Sequence, residues 1–204
     1  MNIITISREF GSGGRELGKR LADLLGYDYY DREIITAIAE QKGLDENYVE
    51  KSLENHICQA IPLTFRRSFT DISTIQQTQT NLLIEQKHVI EKIAKIGKNC
   101  VIVGRNADVI LANKKPFSIF VCADLEAKIH RCIERADKKE NLSRREIENN
   151  IRRIDKSRMK VREMITDTKW GDLKTYQLII NTTDWNIEEL APAVAKLASC
   201  WFRR

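Results

Sequence analysis

Residues 4–35 read ITISREFGSGGRELGKRLADLLGYDYYDREII, and this stretch decides the fold. The β-branched run Ile3–Ser7 predicts a strand, which leads into a turn at Gly11–Gly14. Leucines at helical spacing follow until Gly26 and predict a helix, after which Tyr27–Tyr30 predicts a second strand. A strand, a helix and a strand in this order indicate a βαβ unit, and therefore a parallel sheet.

The rest of the chain supplies three more strands. Compact apolar runs at Cys100–Val103, Phe117–Cys122 and Leu178–Ile180 predict strands that are buried on both faces. Residues 45–98 show no strand pattern, so they predict a helical insert between the second and third strands. We expect one domain over residues 1–204, an α/β three-layer sandwich with a five-stranded parallel sheet.

A long amphipathic helix is predicted at the end of the insert, with apolar positions Val89, Ile93 and Ile96 before Gly97. Its apolar face has two uses: it packs inside the domain or against a second copy of the chain. A homodimer is therefore one of two expectations for this helix.

The composition favours a small anionic partner and argues against several classes of protein. A total of 34 Lys and Arg against 29 Asp and Glu gives a net charge of +5, which favours a nucleotide but is too mild for a nucleic-acid-binding protein. Five cysteines without a CxxC pair predict reduced thiols, and hence a cytoplasmic protein. The N-terminus reaches a charge at Arg8 before any long apolar core, so neither a signal peptide nor a membrane span is expected.

The glycine-rich turn between the first strand and the first helix predicts a phosphate-binding loop. Glycines let the backbone approach a ligand closely, while free N–H groups and the helix dipole attract phosphate. The segment Ser7–Glu16 nevertheless fails the standard pattern GxxxxGK[ST], in which Lys reaches the terminal phosphates and Ser or Thr holds Mg²⁺. The plain alternative is a tight turn that binds no ligand.

Two registers of the standard pattern are open. Matching Gly13 to the final glycine puts Gly14 at the Lys position and Arg15 at the Ser/Thr position. Sliding by one residue puts Arg15 at the Lys position and Glu16 at the metal position. We prefer the second register because it keeps a cation and adds a carboxylate that can bind a metal. Arg8, at the mouth of the loop, is a further candidate cation for phosphate.

Arginines in the second half of the chain are candidates for holding phosphates. Arg105 follows the third strand, at the edge of the sheet where ligands bind, although an ordinary surface arginine fits there equally well. Arg131 lies on the polar side of its helix. Arg158 falls in the apolar stripe of a long helix, where a charge needs a partner, and Asp155 one turn earlier can supply it. We expect Arg131, Arg158 and Asp155 to neutralise charge during phosphoryl transfer; the plain alternative is a solvated charged helix.

Four motifs taken together resemble the cytidylate-kinase-like family. They are the opening stretch ITISREFGSGGRELGKRLADLLGYDYYDREII, then VIVGRNADVIL, DKSR and TKWGD, and they span nearly the whole chain in the family's order. The resemblance implies a P-loop kinase core, a nucleoside-monophosphate-binding insert at about residues 45–98 and a lid at about residues 135–170. It also implies ATP as the phosphoryl donor, CMP or dCMP as the acceptor, and Mg²⁺ as a cofactor.

The resemblance further implies roles for individual residues. The ATP phosphate loop corresponds to Gly11, Ser12, Gly13, Gly14, Arg15 and Glu16. Arg105 corresponds to the arginine that grips the acceptor phosphate. Asp155 and Arg158 match a D-x-x-R spacing in the lid, and Arg131 lies where such enzymes carry lid arginines.

The chain also departs from the family pattern. The P-loop Lys is absent, and Asn106 replaces the Asp of a GRD-type motif. After the second strand the pattern DTGAxYR keeps only Asp31, with Arg32 nearby as a candidate for the acceptor. The missing lysine supports a second hypothesis, a nucleotide-binding or regulatory module that has the kinase fold but no transfer activity.

A dinucleotide-binding oxidoreductase is the third hypothesis. Gly11 and Gly13 follow a strand, and Asp31 ends the second strand 20 residues after Gly11, where a ribose-binding acid would lie. However, Glu16 occupies the third glycine's position in GxGxxG, and the helical insert interrupts the pattern. Both departures count against this hypothesis.

Overall fold

A parallel sheet forms the centre of the computed structural model, which describes residues 1–54, 70–136 and 142–203. The strands in these residues are β1 (Ile3–Arg8), β2 (Asp28–Tyr30), β3 (Cys100–Val103), β4 (Phe117–Cys122) and β5 (Leu178–Asn181). They form one five-stranded sheet in the order β2-β3-β1-β4-β5, and every neighbouring pair is parallel. The five-stranded parallel sheet predicted from the sequence is confirmed.

Helices cover both faces of this sheet. The α-helices in the described residues are α1 (Gly14–Leu25), α2 (Glu33–Lys42), α3 (Glu46–Glu54), α4 (Thr70–Ile96), α5 (Ala107–Ile110), α6 (Leu125–Arg135), α7 (Arg144–Ile165) and α8 (Ile187–Phe202). Helices α1 and α8 pack on one face and α2 to α5 on the other, which gives the three layers.

Alternation of side chains along the strands divides the core into two apolar clusters. Ile4 and Ile6 of β1 belong to the cluster with α1 and α8, whereas Ile3 belongs to the cluster with α2 and α4. Both faces are apolar because helices shield a parallel sheet on each side. The compact runs that predicted the strands are therefore the middle layer of the α/β sandwich.

The helical insert lies between β2 and β3, and its longest helix packs inside the domain. Among the side chains of α4 that the structure describes, residues 77–96, the buried ones are Leu82, Glu85, Gln86, Val89, Ile90 and Ala94. The apolar members of this set pack with α2 and α3, which is the first of the two expectations for this helix. Residues 55–69 of the insert, with Cys58, and residues 137–141 of the predicted lid lie outside the described residues.

Helix α7 begins at a capping box formed by Ser143 and Glu146. Ser143 Oγ accepts a hydrogen bond from the Glu146 N–H at 3.3 Å, and Glu146 Oε2 accepts one from the Ser143 N–H at 2.8 Å. Ile147 and Ile151 are buried against α6. This packing carries α7 past the end of β1, where the carboxyl edge of the sheet lies.

None of the helices in the described ranges combines the length and apolar character that crossing a membrane requires.

Candidate functional site

The loop between β1 and α1 has the backbone geometry of an anion-binding turn. Gly11 (φ 77°) and Gly13 (φ 83°) lie in the left-handed region, which favours glycine. Gly13 is the N-cap of α1, and it makes no side-chain cap. The first N–H groups of α1 and the positive end of its dipole therefore remain available to an anion.

Ser12 stabilises this loop from the inside. It is fully buried, and its Oγ donates a hydrogen bond to the carbonyl of Glu9 at 2.9 Å. The carbonyl of Ser12 accepts a hydrogen bond from Thr182 Oγ1 at 2.6 Å. The loop is thus anchored to the residue that follows β5.

A buried lysine of α6 joins the loop to α7. Lys128 Nζ lies 3.0 Å from Glu9 Oε2 and 3.3 Å from Asp155 Oδ2. Asp155 Oδ1 in turn accepts a hydrogen bond from the Phe10 N–H at 2.6 Å. Burial raises the pKa of Asp155, although the Phe10 N–H and the Lys128 charge act in the opposite direction. Lys128 is a site residue that was not predicted, because its only signal in the sequence is its place beside the apolar Ile129.

Arg8 is a buried cation at the centre of the site. Only 10% of its side chain is exposed, and its Nη2 lies 3.6 Å from Asp31 Oδ1. Burial, followed by the charge of Arg158, lowers the pKa of Arg8 to about 9, while Asp31 acts in the opposite direction. An anionic ligand would therefore relieve an electrostatic penalty at this position.

Charged residues in the first turn of α1 are paired. Arg15 Nε lies 2.5 Å from Asp31 Oδ2, and 60% of the Arg15 side chain is exposed. The carboxylate of Glu16 pairs with Arg20 Nε at 3.0 Å and also contacts Arg135. Glu16, the metal ligand proposed from the sequence, therefore has two arginine partners.

Arg158 of α7 lies over the loop. Its Nη1 donates a hydrogen bond to the carbonyl of Arg8 at 3.0 Å and lies 3.8 Å from Asp155 Oδ1. The guanidinium carbon is 5.8 Å from the ring centre of Phe10, within the range of a cation–π interaction. These partners explain how a charge is accommodated in the apolar stripe of α7.

Two cavities meet at this cluster of charges. One of about 540 Å³ lies beside the phosphate loop, and one of about 50 Å³ lies at the ends of β1 and β3. Arg8, Ile154 and Arg158 line both of them. The arginines of the larger cavity are Arg8, Arg15, Arg32, Arg131, Arg135, Arg153 and Arg158. Within the described residues only Glu9 and Glu50 line it with the opposite charge, so it favours a polyanion.

Two of the arginines proposed from the sequence reach the larger cavity with protein partners. Arg32 Nη2 lies 3.1 Å from Glu50 Oε2. Arg131 donates hydrogen bonds to the carbonyl of Thr182 and, at 3.4 Å, to the carbonyl of Trp185. The structure thus brings Arg131 to the cavity and ties it to the segment after β5.

Arg105 lies in a turn with an unusual backbone. Gly104 (φ 75°), Arg105 (φ 57°) and Asn106 (φ 52°) are consecutive left-handed residues, and strain of this kind in non-glycine residues clusters at functional sites. Gln86 of α4 supports the turn by donating a hydrogen bond to the Arg105 carbonyl at 3.1 Å. Arg105 lines the smaller cavity together with Arg8.

A second buried ion pair joins α7 to α5 and was missed in the sequence. Arg162 Nη1 lies 2.7 Å from Asp108 Oδ2, and these side chains are 1% and 5% exposed. Arg162 also donates a hydrogen bond to Thr168 Oγ1 at 3.0 Å. The sequence did hold a sign that Arg162 is buried, because this residue follows Val161 and lies one turn after Arg158 in the apolar stripe.

A metal at this site would have few carboxylates to bind it. The described residues hold no group of three or more His, Cys, Asp or Glu side chains suited to a metal. Mg²⁺ commonly takes only one or two carboxylates and completes its coordination with phosphate oxygens and water. Glu16 and Asp31 are the carboxylates of this kind beside the first turn of α1; both are paired with arginines, and neither lines the cavity of about 540 Å³.

Comparisons with known proteins relate this chain to cytidylate kinases. A sequence model described as the cytidylate kinase-like family matches residues 3–184. The cytidylate kinase of Thermotoga maritima is 22% identical over 215 residues, which cover 95% of each chain. The structure of an uncharacterized protein from Eubacterium ventriosum gives a TM-score of 0.71 at 25% identity and covers 98% of this chain and 99% of its own.

A more distant solved structure shows the same fold. The shikimate kinase of Bacteroides thetaiotaomicron gives a TM-score of 0.57 at 16% identity, with 97% of this chain and 98% of the other covered. These matches confirm both the family resemblance and the α/β kinase-like fold predicted from the sequence.

Proposed function

Since this chain belongs to the cytidylate kinase-like family, we propose that it transfers the γ-phosphoryl group of ATP to a nucleoside monophosphate, with CMP or dCMP as the expected acceptor. The observation that carries the proposal is the cavity of about 540 Å³ beside the phosphate loop, because its arginines complement the charge of a triphosphate. The name of the Thermotoga maritima relative supports cytidylate as the acceptor.

Transfer of this kind depends on positioning and charge rather than on a nucleophilic side chain. An oxygen of the acceptor phosphate attacks the γ-phosphorus, the bond from that phosphorus to the β,γ-bridging oxygen breaks, and ADP leaves with the electron pair. The N–H groups of Gly11–Gly14 hold the donor phosphates at the start of α1. Arg158 and Arg131 neutralise charge on the transferring group, and Asp155 positions Arg158.

The acceptor is held on the other side of the transferring group. Arg105 binds its phosphate from the smaller cavity, next to Arg8. Asp31 and Arg32, which follow β2, contact the rest of the nucleoside monophosphate in this proposal, Arg32 from the larger cavity. Two cavities that meet at Arg8 and Arg158 provide the donor and acceptor with a common boundary, which in-line transfer requires.

Magnesium is the proposed cofactor. When bound, Mg²⁺ neutralises charge on the β- and γ-phosphates. Glu16 is the residue expected to hold it, and it would have to leave Arg20 and Arg135 to do so. The reaction is proposed for the cytoplasm, which the free thiols of Cys100, Cys122, Cys132 and Cys200 support.

A nucleotide-binding or regulatory module without transfer is the second candidate. It is favoured by one observation, the glycine at position 14 with no lysine anywhere in residues 9–16. Family membership leaves the dinucleotide-binding oxidoreductase without support.

A coupled ADP-release assay with ATP, Mg²⁺ and a panel of nucleoside and deoxynucleoside monophosphates tests the proposal. We expect turnover on CMP or dCMP, and Arg105→Ala to raise the acceptor KM about tenfold or more because a charged phosphate contact is lost. Arg203→Ala, at the exposed end of α8, is the matched control. ATP binding without turnover on any acceptor would support the binding module instead.

A further inference from the structure

The phosphate loop carries its cation at the opposite end from the standard pattern. When Gly13 is the final glycine of GxxxxGK, the first glycine falls at position 8 and the lysine at position 14. This chain has arginine at 8 and glycine at 14, so the glycine and the cation have exchanged places. We infer that Arg8 contacts the terminal phosphates of the donor in place of the missing lysine, an inference that rests on the proposed function.

The backbone supports this register. Strand β1 ends at Arg8, Gly13 is the left-handed N-cap, and α1 begins at Gly14. In the pattern GxxxxGK the first glycine follows the strand and the lysine begins the helix. In this chain the strand ends at Arg8 and the helix begins at Gly14, so the two positions match. The register preferred from the sequence, with Arg15 at the lysine position, would place the final glycine inside the helix.

The two positions share one space, so only one of them can carry a long side chain. A Cβ built on Gly14 would lie 2.5 Å from Arg8 Cβ and 3.1 Å from Arg8 Cγ, closer than real contacts allow. The stem of Arg8 therefore runs where the side chain of a lysine at position 14 would begin. At its far end the Arg8 guanidinium lies over Gly104, where a Cβ would overlap it.

Arg8 lies where the larger and the smaller cavity meet. It lines both cavities, and the Arg158 side chain fixes the Arg8 carbonyl at 3.0 Å. Burial of 90% of the side chain and the contact with Asp31 hold the cation in place before a ligand arrives. Arg15 also contacts Asp31, but 60% of its side chain is exposed, and of the two cavities it lines only the larger one.

The test moves the cation back to its standard position. Three variants are compared with the parent: Arg8→Gly, Gly14→Lys, and the double variant that restores GxxxxGK. Steady-state turnover is measured with CMP as acceptor, and calorimetric titrations give the affinities for ATP, AMP and inorganic triphosphate. Circular dichroism and Tm report folding, Arg8→Lys provides a conservative cation if Arg8→Gly fails to fold, and Arg203→Ala is the control.

Arg8→Gly is expected to lower kcat by about 100- to 1,000-fold. It should weaken the binding of ATP and triphosphate but leave AMP, which lacks the terminal phosphates, almost unchanged. Gly14→Lys alone should lower Tm because its side chain meets the Arg8 stem. The double variant should regain triphosphate binding and turnover above the level of Arg8→Gly, and Arg8→Lys should retain part of both.

The outcomes separate this inference from the proposed function. The parent could bind triphosphate through Arg8 and yet show no turnover. That result would contradict the proposed reaction but support Arg8 as the cation that contacts the terminal phosphates. A folded Arg8→Gly variant that binds triphosphate as the parent does, or a parent that binds none, would overturn the inference. A double variant that folds, yet binds triphosphate and turns over no better than Arg8→Gly, would also contradict the inference that Arg8 replaces the lysine.

Discussion

The carboxylate of Asp155 accepts a hydrogen bond from the backbone N–H of Phe10 at 2.6 Å, and this contact holds α7 on the phosphate loop. The other oxygen of the same carboxylate lies 3.3 Å from Lys128 Nζ. One side chain therefore connects the loop, α6 and α7. Motion of α7 relative to the loop requires that these contacts break, so Asp155 couples the position of Arg158 to the conformation of the loop.

Removal of this contact should weaken nucleotide binding. Asp155→Ala takes away the acceptor of the Phe10 N–H, and we expect kcat/KM for ATP to fall about tenfold because a hydrogen bond to a charged group is lost. Asp155→Asn is the matched control, since its amide oxygen can still accept from Phe10 while the charge is gone. Steady-state kinetics with varied ATP measures both, and equal losses in the two variants would contradict a role for the hydrogen bond.

The pKa of Asp155 makes a separate prediction about stability. Burial raises this pKa above its ordinary value of 3.8, so the folded chain binds the proton more tightly than the unfolded chain. The contribution of Asp155 to the free energy of unfolding is therefore greatest below pH 3.8 and decreases as the pH rises through the folded pKa. Urea denaturation from pH 3.8 to neutrality should show the parent losing stability relative to Asp155→Asn. A difference that grows in favour of the parent with rising pH would contradict the direction of the shift.

The buried pair of Arg162 and Asp108 should be essential for stability. Arg162→Met leaves the Asp108 carboxylate buried without its partner, and we expect a loss of about 3 to 5 kcal/mol in the free energy of unfolding. Arg144→Met is the control, because Arg144 pairs with Glu126 at the exposed start of α7 and should change stability little. Chemical denaturation of both variants checks the contrast. Similar losses in the two would show that burial does not set the strength of these pairs.

Position 104 should require glycine for two reasons: its left-handed backbone, and the Arg8 side chain that lies over it. Gly104→Ala introduces a left-handed alanine and displaces the Arg8 guanidinium, so we expect loss of both stability and ATP binding. Gly97→Ala has a similar backbone (φ 79°) with nothing within 4 Å of its Cβ, and should lose only about 1 to 2 kcal/mol of stability. Tm and calorimetric titration with ATP measure the two effects. Unchanged ATP affinity in a folded Gly104→Ala variant would contradict the contact with Arg8.

The sequence predicted the layers of the fold because these depend on local patterns. Compact β-branched runs such as Cys100–Val103 identify buried strands, and the spacing of Ile147 and Ile151 identifies the inward face of α7. The glycines at positions 11 and 13 likewise predict a turn whose left-handed backbone glycine adopts more easily than other residues. Each of these signals is contained within a few residues.

The connections within the site could not be predicted in the same way. Asp155 and Phe10 are 145 residues apart, and the sequence around either residue does not indicate that the two are in contact. The sequence left two registers of the phosphate loop open because it does not show that the Arg8 stem fills the space beside Gly14. The position of Arg162 in the apolar stripe requires a buried partner, but the sequence does not show that Asp108 is that partner.

The reach of Arg8 across the sheet has a consequence for the order in which the molecule assembles. Its side chain leaves β1, lies over the end of β3 and meets Asp31 after β2. A slip of one residue between any two of these strands would turn the side chains at their ends to the opposite face. The anion site therefore forms only after three strands from distant parts of the chain have paired in register, and during refolding the capacity to bind phosphate should return with the last of these pairings.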